Sequence, residues 1–575
     1  MAYIIADNIL SPLGKTTSEN LQAVLAGRTS LHYHAASELG VGDDFVSSRL
    51  SQLPGEPQLS HFERKVVTSV KSALKEVDID VRSSQILFIL STTKGNIETL
   101  TLQSPTDDVA VGYTAQRIAR QLGFTTTPIV VCNACISGLS ALILAQRLID
   151  QGMYHDVIVC GTDDIDRFVV SGFQSLKALS TQACRPFDIE RMGLNLGEAV
   201  ATAVLSAEAS DACWQLSEGV VRNDAYHISA PSKTAEGQYR CLKQLLSHHP
   251  DQPIDFINLH GTATLFNDQM ESVAVERAGL SALPANGYKG YYGHTLGAAG
   301  VLETVLSIHA AEAHVVVGTR GYEELGVSGQ ISVSADHRQC QSRSFLKTLS
   351  GFGGCNAAAL FTHVEAVGET SNDQHDKARS LVPTHHLRLT PVSLEIDGDE
   401  SLLTGYNGYD GLATLYKSRI GGYSKFYKMD PLSRLGFVAS ELLLQAEHNE
   451  STSPTDDDVS RAIIFFNEHS SLAADHKYLE SIAIEGEYFP SPSEFVYTLP
   501  NIVTGEIAIR NGYRGETSFY ILPSRNELME QSILSASTSD TSTRSILAGW
   551  LDYHDAHHFL ADLCIYNVID TLTNE

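Results

Sequence analysis

Apolar residues along this chain follow two alternating rhythms. Short runs of β-branched and large aliphatic residues read as buried strands, and longer stretches with apolar residues every third or fourth position read as helices. From Met1 to about Ser206 this pattern predicts strands at 85–90, 127–131 and 157–161 and a helix at 136–148. From Trp214 to about Glu365 the logic repeats, with a strand at 256–259, a helix at 298–313 and late strands at 330–333, 344–349 and 357–364. Strands alternating with helices predict layered α/β structure. The expected division is therefore one α/β half over 1–206 and a second over 207–365. The composition turns polar around 368–388, so 366–390 is assigned as a linker. A third α/β unit follows over 391–575, with polar stretches at 451–458 and 535–543 expected as loops.

Length and charge narrow the function classes. A chain of 575 residues with 43% hydrophobic content buries more than one core. Sixty-eight acidic residues against 40 basic ones give a formal charge of −28, which argues against nucleic acid or an anionic membrane surface as the main partner. No apolar run approaches a membrane span, and the first residues lack the basic start and cleavage site of a secretory signal, so a soluble cytoplasmic chain is expected. Nine cysteines without framework spacing point to reduced thiols.

Four segments carry the candidate chemistry. Cys135, in V-V-C-N-A-C-I-S-G, ends a strand and opens a helix whose dipole is expected to lower the thiol pKa. His260 opens H-G-T-A-T at a strand tip, where α/β layers bind ligands. His294 sits in K-G-Y-Y-G-H-T-L-G-A-A-G, where small residues permit close packing at a helix start, and Gly351–Gly354 form a glycine loop. A reactive thiol beside two histidines suits a covalent acyl carrier. Cys132 and Cys135 form C-x-x-C, but zinc requires a second ligand pair, so no metal site is expected.

Together with Ser11–Gly14, Gly172–Phe173, Leu176–Ser180, Arg185–Asp188 and Gly197–Glu198, these segments resemble the β-ketoacyl-acyl-carrier-protein synthases, the elongating condensing enzymes of fatty acid and polyketide assembly. The resemblance covers about 360 residues in the family's order. It implies a thiolase-like five-layered α/β fold of two similar halves. By resemblance, Cys135 is the acyl-accepting nucleophile, His260 and His294 are the two catalytic histidines, and Lys289 positions the second of them. Thr262 and Thr264 would bond the phosphopantetheine arm, Gly351 and Gly353 would bind substrate, and Glu271 and Asn356 would support the site. Phe352 matches the gate residue, its N–H forming an oxyanion hole with that of Cys135. The implied reaction is decarboxylative condensation of an acyl group on Cys135 with malonyl-acyl-carrier protein. No metal or cofactor is implied, since the phosphopantetheine arm arrives on the carrier.

The departures from the family pattern are local. Ala263, Leu265–Phe266, Gly290–Tyr292 and Cys355 replace the usual residues, and Ile136 beside the nucleophile is bulky enough to narrow an acyl tunnel. Phe266, Tyr291 and Tyr292 read either as core or as contacts for an unsaturated or aryl starter. The segment around Ile509–Tyr513 before a strand at 518–522 resembles the approach to Cys135; aligning Gly512 with Gly123 puts Ser524 opposite the nucleophile. The third unit is thus expected to be a degenerate half-synthase resembling a chain-length-factor partner, packed as an internal pseudo-dimer in place of, or beside, a homodimer. Arg64, Lys65, Lys71 and Lys75 are candidates for docking an acidic acyl carrier protein. Two alternatives stay open: a thiolase or decarboxylase, for which Cys355 is the candidate second thiol, and a non-catalytic chain-length-determining partner of another synthase.

Overall fold

The computed structural model describes residues 1–54, 58–103, 109–209, 212–365, 379–403, 408–450, 459–483, 488 and 490–570. Its first half is a sheet of β1 (Ala2–Leu10), β2 (Ile86–Ser91), β3 (Ile129–Val131), β4 (Asp156–Thr162) and β5 (Val200–Ser206). In space these run β3-β2-β4-β5-β1, the first three mutually parallel and the last two joined antiparallel. Residues of β2 to β5 are buried on both faces, which is why they read as unbroken apolar runs.

The second half repeats the plan. Its strands are β6 (Ala212–Asn223), β7 (Phe256–Asn258), β8 (Pro284–Asn286), β9 (Ser332–Val333), β10 (Ser344–Ser350) and β11 (Cys355–Glu365). Their order is β9-β8-β7-β10-β11-β6, so five of them reproduce the first half's order and polarity. Helices Ser137–Asp150 and Ala299–Glu312 pack on each other between the two sheets, while His61–Ala73 covers the outer face of one and Glu236–His248 that of the other. This is the five-layered α/β arrangement expected from the sequence. The buried centre contains Leu139, Ile143, Val301 and Val305 from the two helices and Leu349 and Ala357 from the second sheet.

The third unit uses the same plan again. β12 (Arg379–Leu389), β13 (Arg461–Asn467), β14 (Thr517–Ile521), β15 (Ser545–Asp555) and β16 (His558–Asp570) run β14-β13-β15-β16-β12 with the same polarity. Gly512 ends helix Ile502–Asn511 in the left-handed conformation, as Gly123 ends helix Val111–Leu122. β14 then pairs antiparallel with β3, Tyr520 opposite Val131, so the first and third sheets form one continuous ten-stranded sheet. The expected internal pseudo-dimer is built by this strand pair.

Two boundaries differ from expectation. Residues 366–378 of the assigned linker lie outside the described residues, but 379–389 form β12, whose exposed polar residues hide its ladder with β16. Of the stretch expected as loop at 535–543, Ser535–Ser537 close a helix instead. The other polar stretch, 451–458, lies outside the described residues.

Candidate functional site

Cys135 sits on a sharp elbow. β3 stops at Val131, Ala134 is held at φ 48°, a left-handed conformation costly for a residue with a Cβ, and helix Ser137–Asp150 starts two residues beyond the cysteine. Local bonds hold the bend: Asn133 N–H donates to Ser137 Oγ (2.8 Å), whose hydroxyl donates to Ala134 O (2.6 Å). A bond from the third unit adds to them, from Phe519 N–H to Asn133 Oδ1 (2.7 Å). Contrary to the sequence expectation, the thiol is not acidic. Burial pushes it up from 9.0 to about 12, only partly opposed by the Lys289 cation. A helix N-terminus contributes about 0.3–1 kcal/mol, whereas each pKa unit is about 1.4 kcal/mol, so desolvation wins.

His260 follows β7 and is fixed through its backbone. Its N–H and that of Gly261 donate to the two oxygens of Glu271 at 2.7 and 2.8 Å. Lys289 Nζ donates to His260 O (2.6 Å) and pairs with Glu303 (2.7 Å), whose other oxygen takes Lys347 (2.5 Å). Lys289 was expected to position His294; its recorded hydrogen bonds instead reach the backbone of His260 and the Glu303 carboxylate. His294 N–H donates to Asn195 O (2.7 Å), and its Nδ1 accepts from Leu296 N–H (3.2 Å). That bond leaves the ring proton on Nε2, a buried atom with no protein partner. The two rings meet edge to face at 5.0 Å. Both are held well below the ordinary imidazole range, by burial first and the Lys289 charge second. The Cys135 sulfur and a ring nitrogen of each histidine all lie within 4.8 Å of one another.

These groups open into one cavity of about 440 Å³, lined also by Thr262, Thr264, Gly351, Phe352 and Asn356. Thr262 and Thr264 share a hydroxyl–hydroxyl bond of 2.9 Å. A Cβ on Gly351 would lie 3.2 Å from Cys135 N, so glycine there brings the loop against the nucleophile's amide. Asn356 Oδ1 accepts from Ser350 Oγ (2.7 Å) and its amide donates to Gly354 O (3.0 Å), bracing the loop. Gly353, expected among the substrate contacts, is not in the lining; at φ 90° it faces Asn501 of the third unit.

Several other expectations resolve here. Tyr291 and Tyr292 are core residues, bonded through their hydroxyls to Gly318 O and Asn20 Oδ1, and Ile136 is fully buried outside the lining. Phe266 is 74% exposed at the cavity mouth beside Met192. Cys355 is buried outside the lining, its Sγ on Phe352 O at 3.2 Å. Lys65 leaves the proposed basic patch, because it is fully buried against Asp164. Sequence reasoning missed Asp163, which accepts from Thr92 Oγ1 (2.6 Å), Thr93 N–H and Gly297 N–H and ties the two halves beneath the site. It also missed Lys177 and Asp224 in the lining. Their signal is tertiary: none lies in a local motif.

Comparison with known proteins agrees with this geometry. Residues 56–211 match the N-terminal domain and residues 215–323 the C-terminal domain of beta-ketoacyl synthase. The 3-oxoacyl-[acyl-carrier-protein] synthase 2 of Rhizobium meliloti (strain 1021) is 34% identical over 250 residues, 40% of this chain and 59% of that protein. Nodulation protein E of Rhizobium leguminosarum bv. trifolii is 31% identical over 248 residues, 41% of this chain and 61% of its own length. The chain thus spans about three fifths of the length of these relatives. Among solved structures, a "PfaC Keto synthase-Chain length factor" superposes with a TM-score of 0.77 over 98% of this chain and 78% of that one; at 14% identity this is a likeness of fold. The repeated sheet, the strand-end cysteine, the paired histidines and both family domains together make the chain, through residues 56–323, a member of the β-ketoacyl synthase family.

Proposed function

We propose that this protein is a β-ketoacyl-acyl-carrier-protein synthase, extending an acyl group held on Cys135 by two carbons from malonyl-acyl-carrier protein. The observation that carries the reading is the Cys135 sulfur and two neutral imidazoles within 4.8 Å in one cavity. In the first half-reaction Cys135 attacks the carrier thioester, the new C–S bond forms, and the carrier leaves as a free thiol. The developing oxyanion is taken by the N–H groups of Cys135 and Phe352, preorganised donors that need no reorganisation. In the second, the bond between Cα and the carboxylate of malonyl breaks, CO₂ leaves, and the electron pair becomes a thioester enolate. A buried His294 Nε2–H without a protein partner is the donor such an enolate oxygen needs, with His260 beside it. The carbanion attacks the acyl-Cys135 carbonyl, the tetrahedral adduct expels the Cys135 sulfur, and the β-ketoacyl chain remains on its carrier.

The histidines fit donors better than metal ligands. A ligating imidazole ordinarily gives its second N–H to an acceptor; here His294 Nδ1 accepts instead, and His260 Nδ1 is buried with no partner. We assign no metal or redox cofactor. The acyl carrier protein is the proposed partner, docking over Met192 and Phe266 at the mouth, with exposed Lys71 and Lys75 available for longer-range attraction. No helix among the described residues is long and apolar enough to cross a membrane, in keeping with work on carrier-bound chains in the cytoplasm. The non-catalytic reading fits only the third unit, where exposed Ser524 follows β14 at the place of Cys135.

Intact mass after incubation with a panel of acyl-carrier thioesters tests the proposal. Acylation on Cys135 alone, absent in Cys135→Ala and discharged as a two-carbon-longer product by malonyl-carrier protein, is the expected result. No acylation by any donor would sink it.

A further inference from the structure

The glycine loop carrying Phe352 is anchored three ways, and one anchor comes from outside the two catalytic halves. Gly351 N–H donates to Cys355 O (2.8 Å) within the loop, and Gly353 N–H to Ile228 O (2.6 Å) in the second half. The third bond runs from Asn501 Nδ2, at the start of helix Ile502–Asn511 in the third unit, to Phe352 O (2.8 Å). A carbonyl only accepts, so the amide nitrogen of Asn501 must face it. Asn501 is 2% exposed and its Oδ1 is buried without a partner. A polar side chain kept there at that cost has no use for its oxygen; its donor carries the interaction.

The approach is tight on both sides. A Cβ on Gly353 would lie 2.6 Å from Asn501 Nδ2, and a Cβ on Gly505 would lie 2.5 Å from Gly353 O. Two glycines, one in each unit, therefore let the helix start press on the loop. The ring of Phe352 is directed the same way: it stacks on Phe173 at 6.3 Å, and Phe173 meets Phe495 of the third unit edge-on at 5.4 Å.

We infer that Asn501 is a positioning residue for acyl transfer, holding the Phe352 peptide from the appended unit so that the Phe352 N–H stays aimed at the acyl carbonyl on Cys135. The role rests on the synthase reading above. It separates the two half-reactions: acyl transfer depends on the loop amide, whereas decarboxylation depends on His260 and His294, which Asn501 does not touch.

The experiment measures both steps in the full chain carrying Asn501→Asp, which keeps the shape but sets an acceptor against Phe352 O, and Asn501→Ala, which removes the donor without adding charge. Acylation of Cys135 by acyl-carrier thioester is followed by intact mass, and CO₂ release from malonyl-carrier protein in parallel, with thermal melts of each variant. Expected is an acylation kcat about tenfold lower in both variants, a fraction of the loss from deleting an oxyanion donor outright, with KM and CO₂ release within about twofold of the parent. If Asn501→Asp does not fold, the alanine variant alone decides. Parallel loss of both steps, or acylation at the parent rate, would overturn the assignment. A parent protein that takes no acyl group at all would instead overturn the synthase reading itself.

Discussion

At Cys135 two environmental effects oppose each other, and their magnitudes decide the resting state. The helix start and Lys289 favour the thiolate, but burial holds the thiol at about 12. The two imidazoles are held neutral by the same burial and the same lysine. The resting site is therefore uncharged at the reacting atoms, and the sulfur loses its proton only as the acyl donor arrives. Because only the thiolate is alkylated, the rate at which iodoacetamide labels Cys135 in the free protein is expected to rise about tenfold per pH unit from pH 7 to pH 10 with no plateau. Peptide mass mapping of Cys135 against pH measures this. A plateau above pH 8 would show an ordinary or depressed thiol and return the decision to the helix dipole.

At the level of elements, the helix pair between the sheets fixes the distance from Cys135 to His294. A Cβ on Gly300 would lie 2.1 Å from Leu139 N, and one on Gly138 2.9 Å from Gly297 O, so the helices touch backbone to backbone. Gly300→Ala is expected to destabilise the fold by about 2–3 kcal/mol through overpacking and to slow CO₂ release from malonyl-carrier protein, because it displaces the segment holding His294; urea unfolding and that assay read the two effects. The small residues of G-A-A-G disclosed this contact in the sequence, as the unbroken apolar runs disclosed β2 and β4 to within a residue. β12 stayed hidden because its exposed face is polar and reads as linker. Lys65 looked like a surface charge because its partner Asp164 lies 99 residues away, and Gly353 looked like a substrate contact because nothing local reveals that Asn501 faces it. The sequence periodicity carries which residues are buried; it does not carry what they are buried against.

Across the whole molecule one sheet plan is used three times, and what distinguishes the units is the residue placed after the third strand in spatial register: Cys135 after β3, His294 after β8, Ser524 after β14. The third unit has no thiol at that place but supplies Asn501, Phe495 and the β3–β14 pair. It is joined by buried ion pairs as well, Arg147 with Glu516 (2.7 Å), Arg222 with Asp540 (2.6 Å) and Lys94 with Asp475 (2.7 Å). A single apolar cluster runs from Ala2 and Leu139 through Tyr520 to Trp550. With sheet, core and charges shared, the appended unit has no separate core to melt on its own. The protein is therefore expected to unfold in one calorimetric transition. Arg147→Met, which strands the buried Glu516 charge at a cost of about 3–5 kcal/mol, is expected to lower the midpoint of that one transition by several degrees without splitting it. Two resolved transitions in the parent, with the third unit melting first, would mean that the continuous sheet is not a cooperative one and that the appended unit is docked rather than built in.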